Sequence, residues 1–269
     1  MIYVATVHVA SARWIDLQLT WLRRTMGEPY QVVANLQDVP PGHAHKFDLV
    51  VDVLGVHAGK LNVLAGEIAA RAGPDDLIVF LDGDAFPIAD PMPVVRRGLE
   101  EGVLVAVRRD ENATDCQPHP SFCAVPVREW ERLHGDWSPG WSWPGPDGVP
   151  LTDVGGNLLR ALERAGASWT PLLRSNRVNL HPLWFGIYGG VVYHHGAGFR
   201  RAVGRVDLVN PPRLTTPAKH IPGVGNVLRW RNRARAQRRY ARTAEAADRL
   251  SDEVYGRIVE DPAFFASLL

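Results

Sequence analysis

The chain reads as an α/β protein: a mixed, mainly parallel sheet flanked by helices, with a helical appendage towards its C-terminal end. Three observations predict this. Short apolar runs alternate with stretches of helical spacing through residues 1–110, the βαβ rhythm of a parallel sheet. The run Leu77-Ile78-Val79-Phe80-Leu81 has no polar interruption, as expected of a strand buried on both faces. From Pro211 onward strand-like runs give way to prolines and then to an arginine-rich segment.

Taken in order, Ile2 to Val9 is β-branched and predicts the first strand, and Trp14, Leu17 and Leu22 recur at helical spacing as far as Met26-Gly27. Tyr30 to Ala34 and Phe47 to Val53 are further short apolar runs, and Lys60 to Ala72 is an amphipathic helix closed by Gly73-Pro74. The buried strand ends in Asp82-Gly83-Asp84. A helix near Val94 to Glu100 and a strand at Val103 to Val107 follow. Residues Asp110 to Pro150 are rich in proline, glycine and aromatics, as in a long binding loop, with a short strand of small residues at Ser121 to Val125. Trp137, Trp141 and Trp143 suit either the flat face of a ligand or a plug on the core.

With 269 residues, 46% hydrophobic and 22% charged, the chain is of ordinary globular composition, and a net charge of +1 argues against nucleic acid as a partner. No run approaches a membrane span, and the N-terminus MIYVATVHVASARW lacks the basic start and apolar core of a signal peptide, so a cytoplasmic location is expected. Cys116 and Cys123 fit a reducing compartment; with His119 they suggest zinc, but no fourth ligand stands at a familiar spacing.

Three stretches carry the chemistry. Alternation along a strand points Asp82 and Asp84 to one side, with Gly83 letting a ligand approach between them. Two hard oxygen ligands at the carboxyl end of a central strand make a seat for a divalent cation holding a phosphate, while the plainer reading is a turn. In Thr152-Asp153-Val154-Gly155-Gly156-Asn157, Thr152 or Asp153 is a candidate helix cap, and Asp153 is equally a candidate general base. Tyr193-His194-His195-Gly196 ends a strand in two imidazoles before a glycine-rich loop, and imidazole beside carboxylates suits Mn²⁺ or a similar ion.

The order of these residues resembles the glycosyltransferases of the GT-A fold over about residues 1–200: a DxD motif at Asp82-Gly83-Asp84, a small-residue loop at Ser121-Phe122-Cys123-Ala124, an acid opening a helix at Asp153, and a late histidine at His194 or His195. The resemblance implies a GT-A-like sheet, a nucleotide-diphosphate sugar as donor and Mn²⁺ or Mg²⁺ as cofactor. It implies that Asp84 binds the metal directly, that Asp82 faces the ribose or the metal through water, and that the late histidine completes the shell. An N-terminal loop with Thr6 and His8, and the region from Asp52 to Lys60, would hold the nucleotide, with Lys60 near its phosphates. Asp153 would act as the base of an inverting transfer. The loop lacks the usual Asn-Ser-Gly pattern and Asp153 is not followed in the commonest way, which leaves donor and stereochemistry open.

Two rival readings compete. Asp82-Gly83-Asp84-Ala85-Phe86 also looks like the nucleophile motif of haloacid-dehalogenase-type phosphatases, but Phe86 stands where Thr or Val is usual and no later Gly-Asp-x-x-x-Asp follows. The other is a nucleotide-sugar binder without turnover. A nucleotidyltransferase would need a glycine-rich N-terminal phosphate loop, which is absent.

The expected division is a catalytic domain at 1–210, with a nucleotide half at 1–110 and an acceptor half at 111–210, then a helical extension at 211–269. Arg229 to Arg242 form a basic helical face, either solvated and balanced by Glu245, Asp248, Asp252 and Glu253, or in contact with anionic lipid, a carrier-linked acceptor or an acidic partner. A membrane-peripheral location goes with the second option. Phe264, Phe265 and Leu268 either dock back on the core or serve a homodimer.

Overall fold

A computed structural model describes residues 1–112, 115–144, 150–196 and 245–269. The chain divides into two compact units, Met1–Phe199 with Ala263–Leu269, and Arg200–Pro262. The basic stretch Arg229 to Arg242 lies outside the described residues. In the second unit residues 245–260 are helical.

The first unit is built on a seven-stranded sheet. In chain order its strands are β1 (Ile2–Val9), β2 (Tyr30–Gln37), β3 (Leu49–Val50), β4 (Leu77–Asp82), β6 (Val105–Val107), β7 (His119–Pro126) and β10 (Thr170–Leu172). Across the sheet they lie in the order β10-β6-β7-β4-β1-β2-β3. Only β7 runs antiparallel, to β4 and β6; the other pairings are parallel, as the alternation of strands and helices predicts. A second sheet joins β5 (Ala85–Pro87), β11 (Gly186–Tyr188) and β12 (Val192–His194), all antiparallel, with β12 in the middle. A third pairing links β8 (Trp143–Pro144) with β9 (Pro150–Leu151).

Both faces of the large sheet are covered, which is why its strands lack a polar alternation. On one face Ile2, Val4, Val79 and Leu81 pack with Ile15, Leu19 and Leu22 of α1 (Ile15–Thr25) and with Met92 and Val95 of α3 (Met92–Glu101). On the other, Tyr3, Ala5, Ile78 and Phe80 meet Leu61, Leu64 and Ile68 of α2 (His57–Ala69), Trp130 of α4 (Val127–Arg132) and Leu158 and Leu162 of α5 (Gly156–Ala165).

The C-terminal segment belongs to the first unit. Phe265 packs edge-on against Trp21 at 5.3 Å and Phe86 at 5.9 Å, with Tyr193 at 4.9 Å, so it docks on the core. Trp137 plugs the core rather than facing a ligand: it is fully buried, 4.9 Å from Phe80 and 5.8 Å from Trp130. Asp136 fastens this loop by accepting hydrogen bonds from Asn62 of α2 at 2.6 Å and Asn157 of α5 at 2.8 Å. Trp143 is buried as well, while Trp141 is half-buried beneath the Arg160 guanidinium at 5.3 Å.

Candidate functional site

The site lies where β4 leaves the large sheet and its continuation, β5, enters the small one. Asp82 is the last residue of β4, and Gly83 and Asp84 form the turn into β5. The two acids therefore converge through a turn and not through strand alternation, since the strand ends before Asp84. From the far side β12 pairs with β5, His194 opposite Ala85. His194 Nε2 comes within 3.6 Å of Asp82 Oδ2 and 3.5 Å of Asp84 Oδ1. Among the described residues this is the one cluster of three His, Cys, Asp or Glu side chains that can hold a metal ion, with ligand atoms all within 4.8 Å of one another. Two carboxylates and an imidazole fit a divalent ion such as Mn²⁺, and Mg²⁺ more loosely because of the nitrogen ligand.

The two histidines, the last residue of β12 and the one after it, point apart. His195 shares its face with Tyr193, whose hydroxyl lies 2.9 Å from its Nδ1, and its ring packs on Trp14 at 4.5 Å and Phe185 at 4.7 Å. His194 points to the opposite face and the acids. His195, expected alongside it as a ligand, contributes only backbone, donating its N–H to the Asp84 carbonyl at 3.1 Å. Gly196 N–H donates to Asp84 Oδ2 at 3.1 Å and fixes that carboxylate.

Thr6 and His8 do not sit on a loop. They are interior positions of β1, on the face towards α1, and both are fully buried. Their partner is Gln18 of α1: Thr6 Oγ1 donates to Gln18 Oε1 at 3.1 Å, and His8 Nε2 lies 3.2 Å from the same oxygen. The Gln18 amide group in turn donates to the carbonyls of Asp82 at 2.8 Å and Ala85 at 2.7 Å. Burial pushes His8 down to about 4, so its ring is neutral. These residues hold the acidic turn from below.

The α2 helix supplies the opposite wall. Asp82 continues the face of Ile78 and Phe80, which packs on α2, and there His57 meets it with Nε2 at 2.9 Å from Asp82 Oδ1. Burial disfavours the charged ring, but the hydrogen bond and charge of Asp82, with Asp84 nearby, outweigh it and raise its pKa. Lys60, one turn on, is 2% exposed, and its side chain makes no hydrogen bond or ion pair with any described residue. Burial lowers its pKa, with the charge of Asp38 opposing. Asp52 is exposed in the segment leading to α2, and that segment is held by Asn35, which donates to the carbonyls of Val51 and Val53, both at 2.9 Å.

Asp153 is not a helix cap. Gly155 holds the N-cap position of α5 with φ 96°, and no side chain caps the helix. A Cβ on Gly155 would lie 2.1 Å from the Pro118 carbonyl oxygen, so only glycine lets this turn approach β7. Freed from capping, Asp153 is 45% exposed and accepts from Arg109 Nη2 at 3.0 Å. The same guanidinium binds Asp115 at 2.6 Å, and burial, partly countered by Arg109, pushes that carboxyl up to about 6. His119, beside the cluster, has its ring 5.8 Å from that of His194 and its Nδ1 2.9 Å from Ser121 Oγ. Cys123 is buried within β7, where burial raises its thiol pKa, and among the described residues no zinc-type cluster forms with Cys116.

No family model matches the chain, and no curated protein matches it. Solved structures similar to it include glycosyltransferases. Residues 1–349 of S. aureus TarS align with 11% identity over 73% of this chain and 60% of that one, at a TM-score of 0.42. The apo form of GlyE from Streptococcus pneumoniae TIGR4 aligns with 16% identity over 63% and 44%, at 0.41. The mannosyltransferase PcManGT from Pyrobaculum calidifontis, in complex with GDP-Man and Mn²⁺, aligns with 16% identity over 51% and 47%, at 0.37. The chain thus spans less than two thirds of each of these three. Likeness at this level fixes neither family nor activity, and the chemistry rests on the chain's own side chains.

Proposed function

We propose that this protein is a metal-dependent glycosyltransferase that moves a sugar from a nucleotide-diphosphate donor to an acceptor hydroxyl. The observation that carries the reading is the meeting of Asp82, Asp84 and His194 at the end of a central strand. Asp82, Asp84 and His194 would hold a Mn²⁺ or Mg²⁺ ion, which would supply positive charge to the donor diphosphate as it departs. In this reading residues 1–110 bind the nucleotide and 111–210 the acceptor.

Lys60 supports the reading: its side chain makes no hydrogen bond or ion pair among the described residues, and it stands one helical turn from His57, which holds Asp82. It binds the donor phosphates. Asp52 faces solvent at the mouth of the nucleotide side. Thr6 and His8 act through Gln18 on the shape of the turn and not on the donor.

Asp153 is exposed and held in one orientation by Arg109, which suits a general base that accepts the proton of the acceptor hydroxyl as that oxygen attacks the anomeric carbon. The outcome is inversion. The same ion pair favours a second reading, in which Asp153 anchors the acceptor and configuration is retained. The anomeric form of the product, read by proton NMR, separates the two. Among the described residues no helix is long and apolar enough to cross a membrane. We place the protein in the cytoplasm, with the Arg229 to Arg242 stretch as its contact with an anionic surface or partner.

The deciding experiment is thermal stabilisation and donor hydrolysis with UDP, GDP and dTDP sugars in the presence and absence of Mn²⁺. Wild type is expected to be stabilised by one donor class only with the metal, and Asp84→Ala to lose that response. Equal binding of all donors by the variant removes the metal assignment. Tight donor binding with neither hydrolysis nor transfer leaves a binding protein, and phosphate release from a simple phosphomonoester favours a phosphatase.

A further inference from the structure

We infer that His57 is a positioning residue for the cation site, holding Asp82 so that one carboxylate oxygen is tied to α2 and the other is presented to the ion. The inference rests on the reading of Asp82, Asp84 and His194 as a cation site.

The geometry divides the two oxygens of Asp82. Oδ1 is engaged by His57 Nε2 at 2.9 Å, while Oδ2 lies on the side of His194, 3.6 Å from its Nε2. Asp84 is already fixed by the Gly196 N–H on one oxygen, and the Asp82 backbone is fixed by Gln18. The Asp82 side chain is the remaining freedom in the acidic pair, and His57 removes it. Register makes this contact possible: Asp82 follows Ile78 and Phe80 on the face that packs against α2, so its carboxylate emerges at that helix's first residue.

Nothing about the helix itself calls for an imidazole there. Acids, not bases, are favoured in the first turn, where the helix dipole is positive, and α2 has neither an acid nor a side-chain cap at that end. The ring is 37% exposed, so it adds little to the core. What it does contribute is a directed N–H to a metal-binding carboxylate. Partners of that kind typically set metal affinity by roughly 10- to 100-fold, because they hold the ligand in its binding orientation before the ion arrives.

The test uses the full chain and Mn²⁺ alone, with free ion followed by electron paramagnetic resonance and binding heat by calorimetry. His57→Phe keeps the ring and loses the donor; His57→Gln keeps an N–H donor at similar reach. His57→Phe is expected to weaken Mn²⁺ binding about 10- to 100-fold, and His57→Gln to recover most of that loss. Both are expected to melt in EDTA within a few degrees of wild type. Unchanged Mn²⁺ binding by His57→Phe overturns the inference and leaves the cation site standing. Equal loss in the two variants also overturns it, because a structural role is blind to the donor. Failure of wild type to bind Mn²⁺ overturns the cation site and this inference together.

Discussion

Gln18 holds the backbone of Asp82. From a buried position on α1 its amide nitrogen donates to the Asp82 carbonyl at 2.8 Å and, across the turn, to that of Ala85 at 2.7 Å. One carboxamide thus closes both ends of the acidic turn while its oxygen faces Thr6 and His8 on β1.

Replacing Gln18 with Leu keeps the volume and strands these buried polar groups. Each unsatisfied carbonyl costs about 1–3 kcal/mol, so a loss of roughly 3 kcal/mol is expected in urea denaturation. Mn²⁺ binding should weaken as well, since the turn is no longer pinned.

The two neighbouring histidines should behave oppositely. His194→Ala is expected to weaken Mn²⁺ binding at least about tenfold with little change in stability, because that side chain serves the acids. His195→Ala empties a space walled by Trp14 and Phe185 and strips the Tyr193 hydroxyl of its partner. About 3 kcal/mol of stability should be lost there. Paired calorimetric and unfolding titrations check both.

Asp115 makes stability depend on pH in an unusual direction for a carboxyl. Its pKa is raised by burial to about 6, above the value near 3.8 of the unfolded chain, so the folded state binds the extra proton between those limits. Its contribution is least unfavourable below about pH 4 and worsens through pH 6, by about 3 kcal/mol in all. Asp115→Asn removes this dependence, so the stability of the variant relative to wild type should rise between about pH 4 and pH 7. A flat difference across denaturation curves in that range would show that Arg109 holds the carboxylate ionised throughout.

Phe265→Ala should cost about 3–5 kcal/mol, since the ring fills the space between Trp21, Phe86 and Tyr193. Concentration-independent unfolding of wild type would agree with docking within one chain; a midpoint that rises with protein concentration would point to a dimer.

The sheet is legible in the sequence because its signals are local. Leu77 to Leu81 announces a doubly covered strand, and two acids following it stand out against that background. His194 and His195 are equally placed in sequence, and only the pairing of β12 with β5 shows which face each one takes. Thr6 and His8 read as open to a ligand because nothing beside them says that α1 will cover them with Gln18. Gln18 and His57 belong to no motif; each is a single polar residue on a helix, and its meaning comes from what lies across the gap. Asp153 is an even choice between cap and base until Gly155, with its positive φ, takes the cap.

The pairing of β5 with β12 has a further effect on assembly order. Gly196 and Asp84, which touch in the finished site, are separated by 112 positions along the chain. Closing so large a loop costs conformational entropy that local contacts cannot return, so this junction belongs among the late events of folding. A fragment stopping before β11 could therefore form the parallel strands and still grip no ion, and exchanging halves between two such proteins would cut through the one place where both are required.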